Sequence, residues 1–145
     1  MAKNLVYRNT DAYNRVEVLA ATYGSGAPVL SLGGKPAVTV TASGDHTRSD
    51  ATSFPPFTIS GIPDGGVGLV GKEVTLAFDG TWEFVAADFA NTDPDPLTAT
   101  QGTIVYITSG NVLTTTSSGN TRYGTLDYPP DYDRTRGLVP VKVGG

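Results

Sequence analysis

The sequence predicts an all-β domain, built as a small β-sandwich or partly open β-barrel of short strands with long irregular loops and terminal arms. Three observations predict this class. Apolar and polar residues alternate with a period of two wherever a period can be read. Turn-forming residues are frequent, with 18 Gly and 10 Pro among 145 residues. The one weak helical candidate, residues 84–90, is expected to form no more than a single turn.

The first strands are indicated by valines at alternate positions. Val16 and Val18 alternate with charged residues, and Val38 and Val40 alternate with threonines. Successive side chains of a strand point to opposite faces, so each valine pair would lie on one buried face.

A hairpin is predicted over residues 72–86. Its first half places Val74 and Leu76 on one face, and its second half begins at Trp82, which we expect to be buried. The two halves are separated by Asp79-Gly80, a pair typical of two-residue hairpin turns because Gly tolerates the positive φ that the turn requires.

Two further strand regions follow. Alternation over 104–107 and a return over 112–116 flank the turn residues 109–111, which predicts a second hairpin. The last strand carries three alternating valines over 139–143. Because Pro140 cannot donate to a ladder, we expect this strand to lie at a sheet edge or to be bulged there.

The length predicts a single β domain over residues 1–145. Residues 1–14 are expected to form an N-terminal arm. Residues 43–56 and 88–101 are expected to be long loops, and 127–137 an extended segment rich in Tyr and Pro. Loops of this length in a small domain are usually functional or disordered.

Composition excludes several classes of protein. The chain has no Cys and a single His, His46, in a polar loop, so neither a thiolate nucleophile nor a site with several His or Cys ligands is available within it. The net charge is −4 at pH 7, with no basic patch for a nucleic acid and no apolar run for a membrane. The N-terminus has no apolar core of a signal peptide. We expect no enzyme and no cofactor.

Paired carboxylates are the remaining candidates for chemistry. Asp93 and Asp95 flank a proline, and Asp131 and Asp133 flank a tyrosine. Either pair offers oxygen ligands to calcium, but neither has the spacing of a calcium loop. Since Asp side chains commonly bond their own backbone in turns, turn chemistry is the favoured interpretation over a metal site.

Aromatic residues next to prolines indicate a surface for binding. Tyr128 and Tyr132 lie in the charged, Pro-rich stretch, while Phe54 and Phe57 bracket a Pro pair. Such a segment presents large rigid rings, and proline limits the entropy lost on docking. The alternative is that these rings fold back over the domain's own barrel end.

The order of motifs over residues 24–145 resembles that of the small head decoration proteins of tailed bacteriophages. Gly26–Val29 matches a G-x-P-V strand, and a loose match to an apolar hairpin follows at 74–82. Gly102–Tyr106 matches G-x-x-V-Y, Gly119–Gly124 matches G-N-T-x-x-G, and a strand of alternating valines closes the chain. The insertion over 43–66 and the Tyr/Pro-rich 127–137 segment depart from that pattern.

This resemblance implies a non-enzymatic cement protein. Such proteins are made in the host cytoplasm and sit on the outer surface of the virion capsid. They bind the major capsid protein lattice, commonly as homotrimers, and stabilise the head. Another virion β-domain, such as a tail tube subunit or a carbohydrate-binding appendage module, is the alternative. The residues expected to contact the capsid or a sister subunit are Tyr7, Arg8, Tyr13, Phe54, Phe57, Tyr128, Tyr132, Arg134 and Arg136.

Overall fold

The fold is all-β, as the sequence predicts. The computed structural model describes residues 5–7, 14–41, 43 and 72–144. Ten strands form two sheets in this part of the chain, and its only helices are two short 3-10 helices, Ala86–Asp88 and Arg134–Arg136. The strands are β1 (Leu5–Tyr7), β2 (Asn14–Val18), β3 (Pro28–Leu30), β4 (Pro36–Thr39), β5 (Glu73–Ala77), β6 (Thr81–Val85), β7 (Ile104–Ile107), β8 (Leu113–Thr114), β9 (Thr121–Leu126) and β10 (Leu138–Val143).

The two sheets divide the strands unevenly. The larger sheet has six strands in the order β1-β6-β10-β9-β7-β8, and the smaller has four in the order β2-β5-β4-β3. Every paired strand is antiparallel to its neighbour. The sheets face each other through β4 against β9 and β10, and through β3 against β7. Each sheet is curled, so that together they enclose the core as two half-barrels.

The predicted hairpin over 72–86 is wrong in its pairing. Both strands form, but β5 pairs with β2 and β4, whereas β6 pairs with β1 and β10. The Asp79-Gly80 turn carries the chain from one sheet to the other, with Gly80 at φ 90°. The indole Nε1 of Trp82 donates to the Asp79 carbonyl at 2.8 Å, and the backbone N–H of Val143 donates to that of Gly80 at 3.0 Å. Turn residues specify a reversal of the chain, but not which strands pair.

The prediction that the last strand is an edge or is bulged is also wrong. β10 lies between β6 and β9, and its register with β6 is regular across Pro140. The Pro140 carbonyl accepts a hydrogen bond from the N–H of Asp127, the residue after the end of β9 at Leu126. In an antiparallel strand the N–H and C=O of one residue point to the same side, so the Pro140 nitrogen also faces away from β6. The missing N–H of Pro140 therefore removes no hydrogen bond from the pairing between β10 and β6.

The second predicted hairpin is confirmed. β7 pairs with β8 through Tyr106↔Thr114 and Ile107↔Leu113. Val105 and Ile107 are buried while Ile104 and Tyr106 are only partly so, as the period of two requires.

The core lies mainly between the sheets. Trp82 is 1% exposed, which confirms its predicted burial, and the three valines of β10 are buried with it. The ring of Phe84 meets that of Tyr123 edge to face at 6.1 Å. A second apolar cluster, which includes Val29, Val74 and Leu76, lies on the other face of the smaller sheet.

Candidate interaction surface

Residues 127–137 lie against their own domain, with Tyr128 and Arg134 as the main attachments. The Tyr128 hydroxyl donates to the Pro96 carbonyl at 2.8 Å. The Arg134 guanidinium donates from Nη1 to the carbonyls of Leu97 and Ala99 at 3.0 and 2.9 Å. For Tyr128 and Tyr132, folding back on the domain is therefore the alternative that the structure shows, whereas Phe54 and Phe57 lie outside the described residues.

Four of the predicted contact residues form one stacked group, here called the Tyr/Arg cluster: Tyr128, Tyr132, Arg134 and Arg136. The two phenol rings meet edge to face, with centroids 5.3 Å apart and planes inclined by 67°. The Arg134 guanidinium carbon lies 3.7 Å from the centroid of the Tyr128 ring, and that of Arg136 lies 5.9 Å from the Tyr132 ring. Both distances allow attraction between the cation and the π-face.

Glu83 on β6 anchors the other end of the cluster. Its Oε1 accepts a hydrogen bond from the Tyr132 hydroxyl at 2.7 Å and lies 3.3 Å from Nη1 of Arg136. The Arg136 side chain is 51% exposed and that of Glu83 only 16%. An ion pair this open to water contributes little stability, so its effect is mainly to orient the guanidinium.

The environment of the two phenols raises the pKa of each above that of a free tyrosine. For Tyr132, burial raises the pKa first and the hydrogen bond to Glu83 raises it further. For Tyr128, burial raises the pKa, while the nearby Arg134 lowers it in part. Both hydroxyls therefore remain protonated donors at neutral pH.

A capped 3-10 helix presents the two arginines. Asp133 begins it by accepting hydrogen bonds at Oδ1 from the backbone N–H and the hydroxyl of Thr135, at 3.0 and 2.5 Å. These bonds lower the pKa of the Asp133 carboxyl. Gly137 ends the helix at φ 70°, a left-handed conformation that favours glycine.

The long loop 88–101 is held by hydroxyls of the β8 region. Thr114, Thr115 and Thr116 each donate from Oγ1 to the Asn91 carbonyl, at 3.3, 3.4 and 3.1 Å. Thr115 also reaches the Pro94 carbonyl at 2.7 Å. This loop supplies the carbonyls that accept hydrogen bonds from Tyr128 and Arg134. The threonine hydroxyls that hold the loop therefore also help to position the Tyr/Arg cluster.

One Asp of each carboxylate pair accepts a hydrogen bond from the backbone N–H two residues later in the chain, as Asp side chains commonly do in turns. Oδ1 of Asp95 accepts from the N–H of Leu97 at 2.9 Å, and Asp133 caps its helix. Among the residues that the structure describes, no group of three or more His, Cys, Asp or Glu side chains could hold a metal ion.

The remaining predicted contact residues are not brought together in the described part of the chain. Tyr7 lies in β1, where its backbone pairs with Thr81. Arg8, Tyr13, Phe54 and Phe57 lie outside the described residues, as do His46 and most of the predicted arm and first loop.

A cleft of about 640 Å³ opens next to Glu83 and Arg136, and the sequence did not predict it. It is lined by residues 24–28, 83–85, 88–89 and 111–113, together with Arg136 and Leu138. We call it the inter-sheet cleft, because it lies between the chain entering β3 and the strands β6 and β8. Val85 and Val112, 47% and 37% exposed, line it. The alternation along β6 predicts that Val85 faces outward, since Trp82 and Phe84 are buried. Only the fold, however, brings Val85 and Val112 to the same cleft.

Two sheet edges beside this cleft have several of their outward-facing backbone groups already bonded or missing. In β3, Pro28 has no N–H, and the N–H of Leu30 donates to Oδ1 of Asn111 at 3.2 Å. In β8, the carbonyl of Leu113 accepts from the N–H of Ala90 at 2.8 Å. A ligand of this cleft would therefore be recognised by its side chains rather than by strand addition.

Comparison with protein families, curated proteins and solved structures finds no match to this chain. None of the helices in the described ranges is long and apolar enough to cross a membrane. Motif order and surface geometry are therefore the features that bear on function.

Proposed function

We propose that the chain is a capsid decoration protein of a tailed bacteriophage. In this proposal it binds the outer surface of the major capsid protein lattice, acts as a homotrimer and stabilises the head without catalysis. The motif order supports it, because Gly26–Val29 leads into β3, Gly102–Tyr106 into β7 and Gly119–Gly124 into β9.

The observation that carries the proposal is the Tyr/Arg cluster. Tyrosine and arginine are enriched among the residues that dominate protein–protein binding energy. Here they are held in place before any partner arrives, since Arg134 is bound to two backbone carbonyls and Tyr132 to Glu83. Pre-orientation reduces the side-chain entropy lost on binding, which strengthens a small contact.

A repetitive surface multiplies such a contact. Once one subunit of a trimer is bound, its sisters meet their own lattice sites at a high effective concentration. Modest affinity for each subunit is then sufficient for stable attachment. The exposed guanidinium of Arg136 is suited to this role, because bidentate binding of carboxylates is specific to arginine.

The partly blocked edges of β3 and β8 favour a decoration protein over a tail tube subunit. A tube subunit must polymerise, whereas at these two edges a neighbouring strand would find no N–H on Pro28, the N–H of Leu30 already bonded to Asn111 and the carbonyl of Leu113 already bonded to Ala90. Purified chain should accordingly stay a small oligomer rather than form rings or tubes.

The rings do not favour a carbohydrate-binding module either. A sugar stacks on an exposed, flat aromatic face, but Arg134 lies over the Tyr128 ring and the Tyr132 ring is inclined to it by 67°. Glycan-array binding that is lost in Tyr128→Ala would reverse this preference.

The direct test is co-sedimentation of purified chain with expanded and unexpanded heads assembled from the major capsid protein of the same source. We expect the wild-type chain to bind expanded heads selectively, and Arg136→Ala to bind at least ~10-fold more weakly, the usual loss at an interface hot spot. Lys142→Ala, an exposed cation outside the cluster, is the matched control. Equal binding by Arg136→Ala and Lys142→Ala would remove the cluster from the contact, and no binding to either head would refute the proposal.

A further inference from the structure

The turn between β3 and β4 presents a leucine to solvent. Leu32 is 72% exposed, the largest exposed fraction among the large apolar side chains of the described residues. A single exposed leucine is ordinary on a protein surface. Leu32 differs because the backbone that carries it is fixed by hydrogen bonds.

Four hydrogen bonds hold this turn. The N–H of Leu32 donates to Oε2 of the buried Glu17 at 2.9 Å. The N–H of Ser31 donates to the Lys35 carbonyl at 2.8 Å, and the Ser31 carbonyl accepts from the N–H of Gly34 at 2.9 Å. The N–H of Lys35 donates to Oγ of Ser31 at 3.1 Å. The leucine therefore projects from a rigid turn, which reduces the entropy lost when another molecule covers it.

The inter-sheet cleft offers a surface suited to such a side chain. Its floor includes Phe84 and Phe89, and Val85 and Val112 are exposed at its walls. Its volume of about 640 Å³ lies within the roughly 300–1,000 Å³ of pockets that bind ligands. Clustered apolar exposure rimmed by polar groups typically marks a binding site.

The charges of the turn and of the cleft are complementary. Glu83, Asp88 and Arg136 are the charged residues that line the cleft. Glu83 and Arg136 pair with each other, whereas no described residue forms a hydrogen bond or ion pair with the Asp88 carboxylate. Lys35 is exposed three residues after Leu32, and its ammonium likewise has no ion pair to a described residue. The turn thus carries an apolar side chain and a cation, and the cleft has an apolar floor and a carboxylate.

The turn cannot fill the cleft of its own chain. Pro28, at the start of β3, lines the cleft, whereas the turn follows the other end of β3. None of the residues 31–35 lines that cleft. Because the four hydrogen bonds fix the turn where it is, a Leu32 side chain that enters an inter-sheet cleft must come from another copy.

We propose that the turn of one copy binds the inter-sheet cleft of the next copy. Leu32 covers Val85 and Val112, and Lys35 meets the carboxylate of Asp88. A contact between two different surfaces of the same chain closes into a ring when the rotation between copies allows it. The inference names the contact between the subunits of the proposed homotrimer, and in that respect it rests on the proposed function.

Charge exchange tests the pairing of the turn with the cleft. Sedimentation velocity of the wild-type chain alone should show a self-associated species. Lys35→Glu and Asp88→Lys should each weaken this association by ~10-fold or more, because each places like charges opposite each other. The double variant Lys35→Glu/Asp88→Lys restores opposite charges and should associate within about 3-fold of wild type. A monomeric wild-type chain, or a double variant that associates no better than either single variant, would overturn the inference.

Lys142→Glu is the matched control for these variants. It changes the net charge by the same amount as Lys35→Glu, at an exposed position on β10 that belongs to neither the turn nor the cleft. Its association should equal that of wild type, and thermal unfolding of every variant shows that the fold is kept. A loss as large as that of Lys35→Glu would assign the effect to net charge and overturn the pairing.

Disulfide trapping between copies locates the contact. The chain has no Cys, so a copy with Gly33→Cys can be mixed with an isotope-labelled copy that carries Val112→Cys. A Cβ at Gly33 meets only Oγ of Ser31 at 3.8 Å, so the turn accepts this change and keeps Leu32. Mild oxidation should give a mixed dimer, identified by its mass, because a disulfide forms only between neighbouring side chains. Val18→Cys, exposed but outside the cleft, replaces Val112→Cys in the control and should give little product.

Equal yields from the two mixtures would overturn the inference. Both measurements use the chain without a capsid, so they separate this inference from the proposed function. A chain that passes them but binds no head refutes only the proposed function. A chain that binds heads but fails the charge exchange refutes only this contact.

Discussion

The Tyr123 hydroxyl donates a hydrogen bond to the Ala37 carbonyl at 2.7 Å, and this bond joins the two sheets. Tyr123 lies on β9 of the larger sheet and Ala37 on β4 of the smaller, and both residues are fully buried. Burial raises the pKa of the Tyr123 hydroxyl well above its ordinary value. The phenol thus brings a donor to a backbone acceptor that water cannot reach.

Tyr123→Phe should lower the free energy of unfolding by about 1–3 kcal/mol, because it leaves the buried Ala37 carbonyl without its donor. Urea unfolding followed by Trp82 fluorescence measures the change. Tyr106→Phe, on the neighbouring strand and only partly buried, is the control and should change stability by much less. Equal effects of the two variants would mean that the inter-sheet bond is not a significant contributor.

Stability should fall at alkaline pH because of the same residue. Below pH ~10 the phenol is protonated in both states, so its contribution is fully present. Above that pH the unfolded chain releases the proton while folded Tyr123 retains it, so the free energy of unfolding declines as pH rises towards the folded pKa. Melting temperatures measured across this range should decline less steeply in Tyr123→Phe than in Tyr106→Phe. Parallel curves would contradict the assignment.

Two fully buried threonines should respond in opposite directions to replacement by valine. Thr75 Oγ1 has no hydrogen-bond partner among the described residues, whereas Thr81 Oγ1 donates to Oδ2 of Asp127 at 2.6 Å. Thr75→Val should therefore stabilise the fold by about 1 kcal/mol, since it removes a desolvated hydroxyl. Thr81→Val should destabilise it by about 1–3 kcal/mol, since it takes a donor from a carboxylate. Chemical denaturation of both variants gives the signs, and a destabilised Thr75→Val would refute this account.

Gly124 should not tolerate a side chain. A Cβ at this position would overlap the backbone carbonyl of Lys142 on β10, because the two strands approach closely there. Gly124→Ala is expected to cost about 1–3 kcal/mol or more, as overpacking does in a core. At Gly110 a Cβ meets only the Thr108 hydroxyl at 3.7 Å, so Gly110→Ala is the matched control for thermal unfolding. A Gly124→Ala protein as stable as the control would show that the strands can separate at no cost.

Local patterns predicted the class of the fold because they reflect local geometry. The period of two places Val105 and Ile107 on one face regardless of which strand lies beside them. Turn chemistry likewise predicted the hairpin between β7 and β8, whose strands are separated by only a few residues. The burial of Trp82 follows from its size and its place in an apolar strand.

Pairing between strands was not predictable in the same way. Asp79-Gly80 has the chemistry of a hairpin turn, yet β5 and β6 bind different partners, and Pro140 lies inside a sheet. Many strands of this chain have an apolar face and can pair with several others. The choice among them depends on total burial over the whole domain, which no short window of sequence contains.

The sequence alone therefore determined that short alternating segments would form an all-β domain, and that Tyr, Arg and Pro would be concentrated in residues 127–137. Only the tertiary structure decided that Arg134 binds the carbonyls of Leu97 and Ala99, that Tyr132 meets Glu83, and that Val85 and Val112 border one cleft. The physical reason is distance along the chain. Alternation and turns are set by neighbouring residues, whereas these contacts join residues far apart in sequence and exist only once both sheets have closed around the core.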